Sequence, residues 1–295
     1  MASGETYTSS LSDSLDTILA SARAVREYGT VMSGLATVET LERNTGLSWS
    51  EVTFARLTAS SVGETEKHDN PQQFSDTSFK LTPTVTVVQT FISDRVKARL
   101  NTKALAKMGK LAQNAIERKL DADGLTTLDG ATNSQPGAGA TLTSGVISAA
   151  GANIRGNTTE PSSGPIVCVL HSFQRKDLYD ELVAAVGTYA IPEGETAKAY
   201  RGGYTGKIDN IEIFIDDNLT IDSSSDAKGG VFAKEGLLLI RGRSPWQETR
   251  REPNIGGGGD SVWLYDEYIW GERLAANTTS AWLWEIYSDC TAPTS

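Results

Sequence analysis

The chain is poor in the residues that most often carry chemistry. It has two cysteines and two histidines in 295 residues. Cys168 lies inside the apolar run Ile166-Val167-Cys168-Val169-Leu170, where a small buried hydrophobe is expected. That supply builds neither a disulfide framework nor a zinc cluster. No apolar run approaches the roughly 18–20 residues of a membrane span. The opening stretch MASGETYTSS lacks the basic and apolar regions of a secretory signal. These absences predict a soluble protein of a reducing interior. Positive charge is also short. The formal charge is −10, which excludes a surface-wide nucleic-acid clamp, because phosphate contacts need cations where they are made.

Nucleotide and catalytic signatures fail position by position. In RGGYTGKIDNIEIFI, residues 201–215, a Walker loop needs Gly five before Gly206 and Ser or Thr after Lys207. Arg201 and Ile208 stand there instead. The dinucleotide fingerprint fails too, because a strand pattern follows the glycines where a helix is needed. The stretch therefore reads as a turn feeding a strand. His171 and Ser172 are neighbours at a strand end without a Gly-x-Ser-x-Gly elbow. An N-cap role is expected for Ser172. Asp216, Asp217, Asp222 and Asp226 lack the glycine and glutamate of a calcium loop and read as a solvated acidic loop. No cofactor is expected.

Hydrophobic residues make up 39% of the chain, so a packed core is expected. Leu15, Ile18, Ala22 and Val25 recur at helical spacing over 12–28. Residues 1–46 hold too few large apolar residues for a core and read as an arm. WSEVTFARLTASSV and FKLTPTVTVVQTFI are β-rich and flank a long polar stretch, which predicts an extended hairpin. Such a hairpin is marginal alone and needs another surface.

Residues 93–123 predict one long helix capped by Ser93. Its stripe is Val96, Leu100, Leu105, Met108, Leu111, Ala112, Ala115, Ile116 and Leu120. Between 94 and 121 it carries eight basic residues against three acidic ones. That predicts a face meeting acidic surfaces of a neighbour, or nucleic acid, unless it is simply solvated.

Further on, a short helix is expected near 143–155, a buried strand at PIVCVLH and a helix at SFQRKDLYDELVAAV. IDNIEIFIDD alternates as a strand, GGVFAKEGLLLIR gives a strand or a pair, and the C-terminal part is β throughout. Five of the six tryptophans lie between 246 and 284. The arm, the hairpin and the aromatic ribbon at 246–270 cannot all bury their apolar faces in one compact monomer. Such elements find burial on other chains.

The order of these elements resembles the major capsid proteins of tailed bacteriophages, the Hong Kong 97 fold. KLTPTVTVVQTFISDRVKARL looks like the family's returning loop strand entering its spine helix. GPIVCVLHSFQRKDLYDEL resembles the strand and helix of the axial domain. YTGKIDNIEIFIDDNL resembles a glycine-containing family segment, with Asp209-Asn210 at the usual second glycine. VFAKEGLLLIRGRSPWQETRRE and IWGERLAANTTSAWLWEIY look like the last strands.

The resemblance implies an α+β fold in four parts: an N-terminal arm, 1–46; an extended loop, 47–90; a peripheral domain, 91–127 and 243–273; and an axial domain, 128–242 and 274–295. It implies hexamers and pentamers forming an icosahedral shell around double-stranded DNA, bound without sequence specificity. Implied partners are a separate scaffolding protein, a portal protein and a decoration protein, with no membrane. The implied location is the virion, assembled in the host cytoplasm. Assembly contacts are expected at Lys67, His68, Lys103, Lys107, Lys110, Lys207, Trp246, Arg250, Arg251 and Asn254. Some members crosslink Lys to Asn between loop and peripheral tip. Lys67 and Asn254 hold those places, but nothing local supplies catalysis, so no crosslink is expected. The alternatives are a nanocompartment shell of the encapsulin kind and an α+β hydrolase using His171 and Ser172.

Overall fold

A computed structural model describes residues 5–6, 29–42, 46–65, 67, 71–99, 102–158, 160–186, 207–255, 257–273 and 282–293. For 5–6, 102–108 and 182–186 it describes only the backbone. The helix expected at 12–28 and the glycines at 202, 203 and 206 lie outside these residues.

Fourteen strands, five α-helices and a 3-10 turn at Lys234–Gly236 are described. The strands and α-helices begin with β1 (Glu5–Thr6), α1 (Met32–Leu35), β2 (Thr37–Thr40), β3 (Trp49–Phe54), β4 (Asp76–Leu81), β5 (Thr84–Ser93), α2 (Asp94–Arg99) and α3 (Thr102–Asp129). After these come β6 (Asn133–Pro136), α4 (Ser144–Arg155), β7 (Ile166–Leu170), α5 (Ser172–Val186), β8 (Lys207–Ile208) and β9 (Ile211–Ile215). The chain ends with β10 (Asp226–Ala233), β11 (Leu237–Arg241), β12 (Trp246–Glu252), β13 (Gly259–Glu272) and β14 (Leu283–Asp289).

The first sheet is built on β13, whose Gly259–Tyr268 pairs antiparallel with β5. Its other edge takes β12 at residues 259–265 and β11 at 268–272. The parallel strands β1 and β2 flank β5 and β11. The second sheet runs β6-β14-β10-β7-β9-β8. The third is the β3–β4 hairpin alone.

The run expected as one hairpin strand is therefore two strands in different sheets. Pro83 explains the split, because it has no N–H for a ladder and fixes its own φ. Residues 84–90, expected in the extended loop, pair with β13. Residues 237–241, expected in the axial domain, do so as well.

The helix α3 runs 28 residues, about 42 Å. It passes through Gly124 and ends at Asp129, beyond the expected stop at 123. Gly124 is there for packing. A Cβ would sit 3.0 Å from two Trp270 ring atoms and 3.2 Å from Met32 Cβ. Ser93 caps α2 as expected, accepting the Val96 N–H at 3.3 Å. Leu111, placed in the apolar stripe, is instead 38% exposed.

Two cores result. The C-terminal half of α3 places Leu120, Leu125 and Leu128 against Val167, Val169, Phe232, Leu283 and Trp270, joining the first sheet to the second. The opposite face of the second sheet, with Ile166, Cys168, Leu170, Val231 and Ile286, is covered by Ile147 and Ile154 of α4 and Leu178 of α5. Burial on both faces is why β7 is an unbroken apolar run. Between β8 and β9, Asp209 and Asn210 have φ of 48° and 62°. That is the two-residue left-handed hairpin turn that Asp and Asn tolerate. Arg155 holds it by donating to the Asp209 carbonyl at 2.9 Å.

Candidate assembly surfaces

The extended hairpin is the first candidate. Strand alternation turns Trp49, Glu51 and Thr53 one way and Val52 and Phe54 the other. The side carrying Val52 and Phe54 is open: Val52 is 51% and Phe54 66% exposed. Phe74 on the returning limb is 72% exposed. A hydrophobic residue on the outside of a two-stranded ribbon has no core of its own to enter.

The root of the hairpin is anchored. Arg273 donates to Glu51 through Nε at 2.8 Å and through a terminal nitrogen at 2.7 Å. Leu81 sits directly over Gly271, where a Cβ would meet its methyls at about 2.5 Å. Trp49 packs edge-on against Phe79 at 6.4 Å. Beyond the strands, Gln72 exchanges hydrogen bonds with the Thr58 backbone. Lys67 lies exposed in this loop, and His68 is outside the described residues.

The β12–β13 ribbon is the second candidate. Trp246 stacks on Tyr265 with ring centres 4.9 Å apart, and the Arg243 guanidinium lies 4.2 Å over the Trp246 ring. At the tip, Arg251 forks onto Asp94 and reaches Asp260 at 3.4 Å; Lys97 also pairs with Asp260. The Arg251 hydrogen bonds hold the Asp94 carboxyl below its ordinary range, and Asp94 raises Arg251 in turn. Gly257 and Gly258 have φ of 83° and 102°, which closes the tip where a side chain would be strained. The Gly258 carbonyl then accepts the Asp94 N–H at 2.9 Å. Arg251 is thus bound into its own chain. Arg250 is more open and pairs with Glu252 at 3.3 Å, and Asn254 is exposed at the tip.

The remaining expected residues are not brought to one place. Lys110 is exposed on α3, and Lys103 and Lys107 are described by backbone alone. Lys207 pairs with Glu212 across the β8–β9 turn at 2.7 Å.

The cap of α5 needs a correction. His171 Nδ1, not Ser172, accepts the Phe173 N–H, at 3.1 Å. Gln174 reaches back to the His171 N–H at 3.1 Å, completing a reciprocal cap. Cys290 Sγ lies 3.2 Å from the same Nδ1, and Asp217 lies 3.7 Å from Nε2. The order thiol, imidazole, carboxylate has the look of a nucleophile and its base. The electrostatics run against it. Burial lowers His171 despite Asp217, and burial pushes the Cys290 thiol up to about 11. Both partners are therefore held neutral, and the set works as a buried helix cap.

The four acidic residues weighed for calcium also diverge. Asp217 accepts from Ser172 N–H, Asp222 from Ser224 and Asp226 N–H, and Asp226 from Gly139 N–H. Asp216 turns inward and is 1% exposed, so it is no part of a solvated loop.

Sequence reasoning missed Arg273, Glu51 and Gly271. A pairing across more than 200 residues leaves no local signal.

No protein-family model matches the chain, and no curated protein matches its sequence. Its backbone is similar to solved shell subunits of phages. The cyanophage Pam1 capsid matches with a TM-score of 0.71 at 11% identity, over 99% of this chain and 100% of that one. The capsid of cyanophage P-SCSP1u matches at 0.70 and 13%, over 97% and 96%. The capsid of Ralstonia phage GP4 matches at 0.69 and 14%, over 95% and 96%. The fold is that of viral shell subunits. In particular, it is the Hong Kong 97-type fold of tailed-phage major capsid proteins.

Proposed function

We propose that the chain is a major capsid protein that assembles through hexamers and pentamers into an icosahedral shell around double-stranded DNA. The extended hairpin carries this reading. It projects Val52, Phe54 and Phe74 into solvent while its root is fastened by Arg273 and Leu81. A held projection with an apolar face fits a partner copy better than it fits water. The whole-length likeness to phage capsid subunits supports the same reading.

In this reading the hairpin lies over a neighbouring copy. Lys67, Lys110, Lys207, Trp246, Arg250 and Asn254 meet neighbours, together with His68, Lys103 and Lys107. The exposed edge of Arg251 adds to its intrachain role. The arm, extended loop, peripheral and axial parts take the divisions that the resemblance implies. A scaffolding protein, a portal and a decoration protein complete the particle. The shell belongs to the virion and assembles in the host cytoplasm. A formal charge of −10 suits a container that must release its DNA.

Negative-stain microscopy of the purified protein tests this. Closed shells are expected from the wild type. Phe54→Asp with Phe74→Asp should leave folded, unassembled subunits. A wild type that stays monomeric at all concentrations, with or without scaffold, would overturn the reading. So would natural particles that enclose a protein cargo and no DNA.

A further inference from the structure

A buried pair of acids, Asp121 and Asp216, belongs to neither assembly surface. Asp121 of α3 is 1% exposed and stands where three segments meet. Its Oδ1 accepts the Val31 and Met32 N–H groups, at 2.9 and 3.0 Å, at the start of α1. Its Oδ2 accepts Asn218 Nδ2 at 3.0 Å. Asn218 follows β9 in the second sheet. One carboxylate thus ties the arm-side segment, the long helix and the second sheet.

Asp216 is its neighbour. It is also 1% exposed, and its N–H donates to the Leu170 carbonyl at 2.9 Å. Its Oδ1 accepts the Asn218 N–H at 3.0 Å. Its Oδ2 is buried and meets no N–H or O–H donor. A buried carboxylate oxygen without a donor is costly. Asn218 brings the two acids together, giving its N–H to Asp216 and its side-chain amide to Asp121, each at 3.0 Å. Two ionised carboxylates repel; one proton between them turns the contact into a hydrogen bond and gives the orphaned group its partner.

We propose that Asp121 and Asp216 share one proton, and that this proton locks the segment at 31–32, helix α3 and the second sheet together. The lock acts within the single chain and does not depend on shell assembly.

The surrounding charges leave that proton in place. Asp121 is the charged group acting on Asp216, and the others nearby are engaged elsewhere. Lys119 pairs with Asp123, which also accepts from Tyr268. Asp217 faces Ser172 N–H and the His171 ring. Val31 and Met32 bring only backbone N–H groups. Burial first, and the Asp121 carboxylate second, push Asp216 from its ordinary 3.8 up to about 7.

The sign follows from linkage. Asp216 binds its proton more tightly in the locked state than in the open one. Its contribution is fully present below about pH 4 and is lost as pH rises through about 7. Opening should become about tenfold easier per pH unit across that window, then level off.

Hydrogen–deuterium exchange on the full chain tests this, corrected for intrinsic exchange. Protection of the Val31 and Met32 amides should fall about a hundredfold between pH 5 and pH 7 and level off above. Asp216→Asn places a permanent N–H donor where the proton sits, so its protection should be flat with pH and should exceed wild type at pH 8. Flat protection in the wild type overturns the proposal whatever the variant does. An unchanged slope in Asp216→Asn overturns it as well. So does failure of that variant to fold, because the amide reproduces the protonated bond.

Discussion

Arg273→Met should free the root of the extended hairpin while leaving the body nearly intact. The substitution keeps an apolar stem but removes both hydrogen bonds to Glu51, at 2.7 and 2.8 Å. A hydrogen bond to a charged group contributes roughly 1.5–3 kcal/mol when well buried, and an exposed ion pair about 0–1 kcal/mol. Here the side chains are 25% and 31% exposed. The fork therefore falls between those limits, at about 1–2 kcal/mol in total. That corresponds to a rise of roughly 5- to 30-fold in local opening. An isolated two-stranded hairpin is marginal in water, so detachment should melt its ladder too. Exchange at residues 49–54 and 76–81 should accelerate by that factor. Exchange of β7 and β10, which lie in the second sheet, should not change. Equal acceleration in β7 would refute the reasoning, because the ion pair would then be holding the body. No acceleration in the hairpin would show that Leu81 over Gly271 suffices to hold the root.

Two further outcomes are expected. Gly124→Ala should lower the melting temperature by a few degrees: about 1 kcal/mol of helix propensity is gained, but overpacking against Trp270 and Met32 costs roughly 1–3 kcal/mol. The indole cannot retreat, because its Nε1 donates to the Leu120 carbonyl at 2.7 Å; a raised melting temperature would mean that it does. Neither Cys168 nor Cys290 should react with a thiol reagent in the native protein near pH 8, and both should react in denaturant. Burial raises both thiols, Cys290 to about 11, so a fast-titrating native Cys290 would contradict the buried cap at His171, and a fast-titrating Cys168 the burial of β7.

Much of the fold was legible because its signals are local. The apolar run Ile166–Leu170 announced a strand buried on both faces. The 3.6-residue stripe through Ile116 and Leu120 announced the long helix, and both residues are buried. The alternation at Ile211–Ile215 announced β9. The errors share a cause. Helical period alone places Leu111 inside, yet it is 38% exposed. Gly124 stood just past the expected helix end, yet Trp270, 146 residues away, requires a glycine there. Ser172 looked like the cap because serine often is one, but burial of His171 left its ring nitrogen free to accept instead. The candidate surfaces were legible only in outline. That a hairpin and a ribbon could not bury themselves follows from composition. That Arg251 is occupied by Asp94, or that Lys207 is occupied by Glu212, does not.

By itself the sequence determined the kinds and order of elements, the lack of disulfide, zinc and nucleotide motifs, and the surplus of apolar surface outside any core. These depend on residue type and on spacing within one turn or one strand. Tertiary structure alone decided which strands share a sheet, that Pro83 divides the returning limb between two of them, and that Glu51 finds Arg273. It also decided that Asp121 and Asp216, far apart in the chain, are buried side by side on Asn218. Such contacts depend on how separate elements are stacked, and the energy of a charge depends on the dielectric that the stacking creates.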